Sequence, residues 1–423
     1  MESYACNSFW QFVSSHLTDD CAALRLKYLG KTQAKHPAQG TDGTADCTVS
    51  DYRLAITQIE CRQRFGKKLT ATLPRFDRFL FATVLAGEQC TSDTLAAWHA
   101  TLVAPGLAVV DMTAGLGIDI LHLASKAVTA VAVERQQALA DALVWNAKGL
   151  GADNLTVLCG DSMELLAQRK LTGNVLFADP ARRADDGARV FALADCEPDA
   201  RRIVELAREC GFARVILKLS PMLDITATAR DLPACTDIYA VGTRTECKEL
   251  VATVDLNADS PTANDVNVHA VTLTGVDDES PVTLSCPLQA LSGALPQPAA
   301  GMPKAGDWVT EPWPAVMKAA AYNVYCNEYG LTPVSANSHV FWSTDKPATA
   351  AGQARRVIDV VPWQSRNIKR FKSRYPLAQV AVRNFGMSAE ALRQRLDVRQ
   401  GNGAVRVIGV TDAAGNRQLI VVE

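Results

Sequence analysis

The segment that most constrains the fold is the sequence VVDMTAGLGID at residues 109–119. An apolar run ends in Asp111, a turn with Gly115 and Gly117 follows, and a helical pattern begins at Ile118. Strand, glycine turn and helix in this order form the first unit of a nucleotide- or nucleoside-binding α/β sheet. The glycines let the backbone approach a ligand, and the free N–H groups at the helix start can bind it. Taken alone, the same pattern also suits a plain tight turn.

The next predicted strand distinguishes between classes of ligand. An apolar run over residues 128–133 ends in Glu134, where such folds bind the hydroxyls of a ribose. The dehydrogenase form of the turn needs a third glycine, and Ile120 takes that position. Asp111 repels phosphate but accepts a hydrogen bond from an amino group. The pattern therefore favours S-adenosylmethionine, which has an amine and no phosphate, over a dinucleotide.

Size and composition describe a globular protein of more than one domain. The chain has 423 residues, of which 48% are hydrophobic and 21% charged, so we expect about two to four domains. No apolar run is long enough to span a bilayer. The sequence MESYACNSFW at the start lacks the basic and apolar regions of a signal peptide. We expect a cytoplasmic protein with no membrane partner.

Cysteine and histidine usage gives no sign of a metal centre. The 12 cysteines form no C-x-x-C pair, and the 6 histidines are dispersed along the chain. We expect reduced thiols that serve as small core residues, and we predict no metal site.

The net charge of −2 hides an asymmetry. Residues 355–423 carry 13 basic and 5 acidic side chains, a net charge of +8, and the remainder carries 30 basic and 40 acidic side chains, −10. A basic C-terminal module on an acidic body indicates a polyanionic partner such as a nucleic acid. The alternative is a basic surface that only interacts with solvent.

Between residues 105 and 224 the chain alternates strand and helix patterns, which predicts a right-handed, doubly wound parallel sheet. Strands are predicted at 108–111, 130–134, 155–159, 174–178 and 214–219, and helices at 137–150 and 198–209. Open sheets of this class bind ligands at the carboxyl ends of their strands. Polar side chains stand at those ends: Asp111, Glu134, Asp161, Asp179 and Lys218.

Two of these positions suggest specific roles. Asp161, followed by Ser162, suits a hydrogen bond to an adenine amino group and suits a helix N-cap equally well. Asp179 and Pro180 present a carboxylate and a free carbonyl that together can hold a nucleophilic N–H against an electrophilic methyl group. Catalysis at such a site is mostly positioning and desolvation.

The first 100 residues carry apolar side chains at helical spacing and predict a helical segment. Basic residues there surround Phe65 and Phe76. This arrangement is compatible with a surface that contacts phosphates. We favour the alternative, a solvated helix face that covers aromatic core residues. Ser92 or Asp93 is expected to cap the next helix. The segment that contains them, residues 89–93, lies just before the first predicted strand and is placed to close over the ligand. The basic residues are Arg62, Arg64, Lys67, Lys68, Arg75 and Arg78.

The rest of the chain predicts an antiparallel arrangement. Residues 237–241 and 250–256 are expected to add a hairpin to the sheet edge, residues 281–306 to form a connection, and residues 312–329 to form one helix. Further predicted elements are strands at 266–273, 340–342, 357–361, 378–382, 405–410 and 419–422 and a helix at 389–396. A basic segment surrounds Phe371 and contains Arg366, Lys369, Arg370, Lys372 and Arg374.

These residues resemble the class I S-adenosylmethionine-dependent methyltransferases. VVDMTAGLGID is similar to their first motif, and Asp179-Pro180 is similar to the catalytic motif of the amino-methyltransferases. More narrowly, the chain resembles bacterial methyltransferases with a THUMP-like domain, through DPARR at 179–183, LKLSPMLD at 217–224, ECKEL at 246–250 and VAVRNFGMSAEALRQRL at 380–396. The resemblance implies cofactor contacts from Asp111, Thr113, Gly115, Gly117, Glu134, Asp161 and Ser162.

The resemblance also implies a domain order. It places a helical domain at 1–100, the Rossmann-like catalytic domain at 101–275, a ferredoxin-like α+β insert at 276–351 and a THUMP-like α+β module at 352–423. THUMP domains proper are associated with RNA binding, which agrees with the basic C-terminal module. The helical N-terminal part is expected to help hold the RNA.

One departure from the amino-methyltransferase motif concerns the acceptor. The motif usually has a second proline and then an aromatic residue that stacks on the base, whereas Ala181 and Arg182 stand here. Arg182 suits stacking on a base or binding a phosphate, and Lys218 contributes charge. We therefore assign catalytic roles to Asp179, Pro180, Arg182 and Lys218.

The leading hypothesis is methyl transfer from S-adenosylmethionine to a base in structured RNA, either rRNA or tRNA. The missing stacking aromatic favours a second hypothesis, a non-catalytic RNA-binding or assembly protein. An oxidoreductase on a dinucleotide fold is disfavoured by Ile120. A methyltransferase that acts on a small molecule or a protein also remains open, since the basic module and the family resemblance are the reasons to prefer RNA.

Overall fold

The structure is a computed structural model that describes residues 3–30, 49–182, 193–257, 265–274, 280–297, 301–347, 351–401 and 405–423. The chain divides into two compact units. The first comprises residues 1–219, 253–259 and 275–278, and the second comprises residues 220–252, 260–274 and 279–423.

The first unit begins with helices, as the apolar spacing predicts. They are α1 (Asn7–Ser15), α2 (Cys21–Leu29), α3 (Val49–Phe65), α4 (Thr72–Arg75), α5 (Val84–Gln89) and α6 (Asp93–Thr101). Phe9, Phe12, Ile56 and Ile59 form a buried cluster between these helices, because each helix turns one apolar stripe inward. The side chain of Ser92 accepts a hydrogen bond from Leu95 N and caps α6, so the expected cap is present.

Strands and helices then alternate through the rest of the first unit. In chain order they are β1 (Ala108–Asp111), α7 (Ile118–Ala124), β2 (Thr129–Glu134), α8 (Gln137–Leu150), β3 (Leu155–Cys159), α9 (Ser162–Ala167), β4 (Val175–Ala178), β5 (Ala181–Arg182), β6 (Cys196–Glu197), α10 (Ala200–Glu209) and β7 (Arg214–Leu219). β5 and β6 pair in antiparallel fashion as a small separate sheet.

The large strands of this unit form a parallel sheet in the order β7–β4–β1–β2–β3. This arrangement confirms the predicted doubly wound sheet. All residues of β4 are buried, as are Val109 and Val110 of β1, because helices cover both faces of such a sheet. The strand order reverses at β1, whose neighbours are β4 and β2, and ligands of open sheets bind beside such a switch point.

The second unit starts with α11 (Ile225–Asp231), β8 (Cys235–Gly242), β9 (Cys247–Asp255), β10 (Asn267–Thr272) and β11 (Val282–Pro287). Its strand order is β11–β10–β8–β9. The expected uniform antiparallel arrangement is wrong, since β10 pairs with β8 in parallel. The predicted connection over 281–306 is also wrong at its start, because β11 pairs along its length with β10. A polar and Pro-rich segment becomes a strand here when a neighbouring edge supplies its hydrogen bonds.

The remaining strands form a second sheet, and helices lie between them in the chain. They are β12 (Trp308–Pro312), α12 (Pro314–Ala319), α13 (Tyr322–Tyr329), β13 (Thr332–Pro333), β14 (Phe341–Ser343), β15 (Gly352–Pro362), α14 (Ser365–Arg374), β16 (Gln379–Arg383), α15 (Ala389–Leu396), β17 (Arg406–Thr411) and β18 (Arg417–Val422). The sheet has 7 strands in the order β13–β14–β12–β15–β18–β17–β16. The predicted single helix over 312–329 is wrong, because Ala320 adopts a left-handed φ of 54° that ends α12.

The second sheet carries buried apolar side chains in two clusters. Phe371 of α14, Phe385 and Leu392 of α15 pack on one cluster of apolar residues, and Val309, Val357 and Ile408 belong to another. The mixed α+β architecture predicted for this part of the chain is therefore present. Among the described residues, none of the helices combines the length and the apolar character that crossing a membrane requires.

Candidate active site

The turn after β1 holds a buried carboxyl group. Asp111 is 1% exposed, and its Oδ1 accepts a hydrogen bond from Thr113 N at 2.9 Å. Burial raises the pKa of Asp111 to about 8, although the Thr113 N–H opposes this shift. An uncharged carboxyl is favoured here until a cation approaches, because burial disfavours the ionised form.

Glu134, at the end of β2, is tied to the same turn. Its Oε2 accepts a hydrogen bond from Gly115 N at 2.9 Å, and its Oε1 accepts one from Gln136 N at 2.7 Å. Gly115 has a φ of 55°, and a Cβ there would approach nothing more closely than the Thr113 carbonyl oxygen, at 4.0 Å. The two backbone donors orient the Glu134 carboxylate, and the space above Gly115 suits a ligand that approaches the backbone closely.

Gly117 has a packing role in the structure in addition to the cofactor contact predicted for it. Its φ is 86°, and a Cβ on this residue would overlap the side chain of Leu143 in α8. The tight packing of the turn on α8 therefore accounts for glycine at this position without any ligand. Its assignment as a cofactor contact remains a prediction.

Asp161 and Ser162 lie at the end of β3. The Asp161 carboxylate accepts a hydrogen bond from Glu164 N at 3.0 Å and caps α9, of which Ser162 is the first residue. Gly160 N donates to the backbone carbonyl of Glu134, so this turn lies beside the end of β2. The N-cap alternative is thus present, and an adenine contact from either side chain stays a prediction.

Asp179 and Lys218 meet at the ends of β4 and β7. Lys218 Nζ donates a hydrogen bond to Asp179 Oδ2 at 2.5 Å. Asp179 N donates to Thr113 Oγ1 at 2.7 Å, and the Thr113 hydroxyl contacts Asp111 Oδ1 at 3.4 Å. The structure therefore connects Asp111, Thr113, Asp179 and Lys218 in one hydrogen-bonded series.

Three residues of this site escaped the sequence reasoning: Thr91, His99 and Asp119. Thr91 Oγ1 accepts from Lys218 Nζ at 2.9 Å and donates to Asp119 Oδ2 at 2.5 Å. His99 Nδ1 lies 2.7 Å from Asp119 Oδ1. Asp119 belongs to the glycine-turn segment, and its acidic character on an apolar helix face was the available signal. For Thr91 the available signal was its segment, residues 89–93, which was expected to close over the ligand, and His99 offered no signal.

Charge outweighs burial at Asp119. Burial alone would raise the pKa of this carboxyl, but the Lys218 ammonium 3.8 Å away and the His99 ring hold the pKa well below its ordinary value. Asp119 is therefore an ionised group inside the first unit, in contrast to Asp111.

Pro180 and Arg182 follow Asp179 directly. Pro180 is buried, and the backbone of Arg182 lies in β5, where it pairs with Cys196. The side chain of Arg182 and the whole of Arg183 lie outside the described residues. The catalytic roles of these residues stay predictions.

One of the basic residues near Phe65 and Phe76, Arg62, packs over aromatic rings. Arg62 stacks on Trp10 and Phe81 and donates to the carbonyls of Asp77 and Phe79. Burial lowers the pKa of this guanidinium to about 10. The interpretation as a helix face over core aromatics is thus favoured, with Phe65 buried beneath it.

The C-terminal basic segment forms helix α14. Phe371 is buried, while Arg366, Lys369 and Arg370 are exposed at helical spacing. Lys372 pairs with Asp397 at 2.6 Å and Arg374 with Asp359 at 2.8 Å. In the part of the chain that the structure describes, no acidic side chain forms an ion pair with Arg366, Lys369 or Arg370. The same part shows no cluster of three or more metal-ligating side chains.

Residues 352–423 match the family model described as THUMP domain-like. The C-terminal module is a THUMP-like domain. Residues 308–348 match a ferredoxin-like domain family. None of the curated proteins shows significant sequence similarity to this chain.

A solved structure resembles the chain along its length. The crystal structure of a "putative methyltransferase" from Porphyromonas gingivalis W83 has 25% sequence identity and a TM-score of 0.84, covering 100% of this chain and 99% of that chain. The predicted fold class, a class I methyltransferase sheet with ferredoxin-like and THUMP-like parts, is confirmed.

Other solved methyltransferases match only part of the chain. The tRNA m1G37 methyltransferase from M. jannaschii has 15% identity and a TM-score of 0.29, covering 40% of this chain and 52% of that chain. A "putative methyltransferase" from Streptococcus mutans in complex with SAH has 10% identity and a TM-score of 0.29, covering 38% of this chain and 95% of that chain. Matches at this level say nothing about activity.

Proposed function

We propose that this protein transfers a methyl group from S-adenosylmethionine to a base in structured RNA. The observation that carries the proposal is the hydrogen-bonded series from Asp111 through Thr113 to Asp179 and Lys218 at the carboxyl edge of the sheet. The whole-chain similarity to the protein from Porphyromonas gingivalis supports methyl transfer. The THUMP-like domain and the exposed cations of α14 support RNA as the acceptor.

The residues around the glycine turn fit this cofactor. The buried Asp111 carboxyl suits the cationic amino group, because a cation offsets the cost of ionising a buried acid. Glu134 suits the ribose hydroxyls, since its carboxylate is held by two backbone donors. A Cβ at Gly115 would meet no atom closer than 4.0 Å, which leaves room for the ligand near this backbone.

Asp179 and Pro180 would hold the acceptor. When bound, S-adenosylmethionine supplies an electrophilic methyl group on a sulfonium sulfur, which keeps the bonding electron pair when the methyl group leaves. The Asp179 carboxylate and the Pro180 carbonyl accept hydrogen bonds from the nucleophilic N–H and direct its lone pair at the methyl carbon. As the new C–N bond forms, the acceptor proton passes to the Asp179 carboxylate.

The first experiment is a calorimetric titration with S-adenosylmethionine and S-adenosylhomocysteine. We expect a Kd in the micromolar range, about −8 kcal/mol, that weakens strongly in Asp111→Ala and in Glu134→Ala. Folded wild-type protein that binds neither compound, in the presence or absence of RNA, would contradict the cofactor assignment.

Transfer is then measured with radiolabelled S-adenosylmethionine and total RNA from a strain that lacks the gene. Asp179→Ala is expected to abolish incorporation while the cofactor Kd stays within about threefold of wild type. Incorporation by Asp179→Ala at the wild-type rate would show that the catalytic motif lies elsewhere. Incorporation into added protein in place of RNA would reassign the acceptor.

A second candidate function is RNA binding or assembly without catalysis. It is favoured by Ala181, because the usual motif continues with a second proline and an aromatic residue. This candidate predicts salt-dependent RNA binding that is unaffected by the cofactor and no incorporation into any RNA. The same two experiments therefore distinguish the candidates.

A further inference from the structure

The segment before α6 reaches the ends of β4 and β7. Thr91 is 8% exposed, and its hydroxyl oxygen accepts a hydrogen bond from Lys218 Nζ at 2.9 Å. The same hydroxyl donates to Asp119 Oδ2 at 2.5 Å. One side chain from the helical part of the first unit thus contacts both the ammonium that binds Asp179 and the buried carboxylate behind it.

Asp119 is itself held in place. Its Oδ1 lies 2.7 Å from His99 Nδ1, and the His99 ring is completely buried. Its Oδ2 lies 3.8 Å from Lys218 Nζ. Asp119 and Asp179 therefore both place a carboxylate oxygen within 4 Å of the Lys218 ammonium.

Hydrogen bonds of a neighbouring side chain hold the segment that carries Thr91 in place. Two residues later, the fully buried Asp93 carboxylate accepts hydrogen bonds from the backbone N–H groups of Ala71 and Thr72 at 2.7 and 2.8 Å. It also bonds the Thr72 hydroxyl and lies 3.0 Å from His122 Nε2. These contacts fix the start of α6 against α4 and α7, so that Thr91 is presented to Lys218 in one orientation.

We propose that Thr91 and Asp119 are positioning residues for methyl transfer, which hold the Lys218 ammonium against the Asp179 carboxylate. This inference rests on the proposed function. Lysine has a long, flexible side chain, and three oxygen atoms around its ammonium select one rotamer. The ammonium in turn orients Asp179 through their hydrogen bond, at a carboxylate whose side chain is 42% exposed. A small misplacement of a group that orients the acceptor lowers the rate strongly.

One consequence concerns the helical segment that was expected to hold RNA. Thr91 and His99 belong to this segment, and both contribute to the network around Lys218. The helices therefore complete the catalytic centre in addition to any contact with RNA.

The test uses Thr91→Val and Thr91→Ser in the full chain. Valine keeps the shape of threonine without the hydroxyl, and serine keeps the hydroxyl. Initial rates are measured at saturating radiolabelled S-adenosylmethionine over a range of concentrations of RNA from a strain that lacks the gene. We expect the apparent kcat of Thr91→Val to fall roughly 10- to 100-fold, with the apparent KM for RNA and the Kd for S-adenosylhomocysteine within about threefold of wild type. Thr91→Ser should recover the wild-type kcat to within about threefold.

A merely structural role would give a different result. It would reduce thermal stability and cofactor affinity together with the rate, and serine would not specifically restore kcat. If Thr91→Val does not fold, Thr91→Ala and Asp119→Asn are compared in the same way, with S-adenosylhomocysteine binding as the proof of a folded site. An unchanged kcat in the hydroxyl-free variant, or a Thr91→Ser variant as slow as Thr91→Val, would overturn the inference alone. A wild-type protein that transfers no methyl group would overturn the proposed function and the inference with it.

Discussion

Gly117 and Leu143 are packed so closely that the Leu143 side chain occupies the place of a Cβ at position 117. Gly117 precedes the first residue of α7, with a φ of 86°, and Leu143 is a fully buried residue of α8. The second glycine of the turn is therefore required by backbone conformation and by helix packing. A Cβ at Gly115, whose φ is 55°, would make only an ordinary contact, 4.0 Å from the Thr113 carbonyl oxygen.

The two glycines are expected to differ in their contribution to stability. Gly117→Ala should lower the free energy of unfolding by about 2–4 kcal/mol, since it adds a steric overlap to a left-handed backbone. Gly115→Ala is the matched control and should cost about 1 kcal/mol, from the backbone alone. Urea denaturation of both variants measures the difference. Equal losses would contradict the packing role of Gly117.

The buried Asp111 carboxyl should make stability depend on pH. Burial raises its pKa from 3.8 to about 8 in the folded protein. The unfolded chain releases this proton near pH 4 and the folded protein only near pH 8, so the contribution of Asp111 to stability is lost as the pH rises through this window. Asp111→Asn should match wild type near pH 4 and be more stable by about 1–3 kcal/mol at pH 8. Denaturant unfolding at both pH values measures this, and a constant difference would count against the raised pKa.

Binding of the proposed cofactor should release a proton from the same carboxyl. Asp111 is mostly protonated at pH 7, because its pKa is about 8, and a bound ammonium group would ionise it. We expect a release of about one proton per S-adenosylmethionine at pH 7. Calorimetry in phosphate and in Tris, which differ in ionisation enthalpy, measures the release. Identical binding enthalpies in the two buffers would exclude an ionisation of Asp111 on binding.

Helix α14 should contribute to RNA affinity through its exposed cations. Replacement of Arg366, Lys369 and Arg370 together by alanine should weaken binding of a structured RNA at least about tenfold near 0.1 M salt and reduce the salt dependence. Lys372→Ala is the control, because its ammonium pairs with Asp397. Fluorescence anisotropy over a salt series measures both effects. A triple variant that binds as tightly as the Lys372→Ala variant would place the RNA elsewhere.

Local patterns in the sequence predicted much of the first unit. The bounds of β1, β3, β7 and α8 agree with the predicted ranges to the residue. Strand and helix periodicities are visible within about ten residues, and parallel strands place their carboxyl ends at one edge. The placement of Asp179 and Lys218 at that edge was therefore predicted, whereas their direct contact depends on the pairing of β4 with β7.

Pairing and packing over long distances could not be predicted in the same way. β11 lies in a segment rich in Pro, Gly and Ala and becomes a strand because β10 provides its partner. The break at Ala320 depends on a left-handed backbone that no residue type there indicates. Both features depend on neighbours outside the local sequence.

The sequence by itself determined the class of fold and the edge of the sheet that holds the polar residues, and it predicted a cofactor without phosphate. Tertiary structure alone decided which polar groups are charged and which side chains meet. Asp111 and Asp119 are eight residues apart in one segment, yet burial raises the pKa of the first, while Lys218 and His99 lower that of the second. Thr91 contacts Lys218 across a sequence separation of 127 residues. The spacing of apolar residues in the sequence cannot indicate such a contact, because the contact forms only when the helices pack against the sheet.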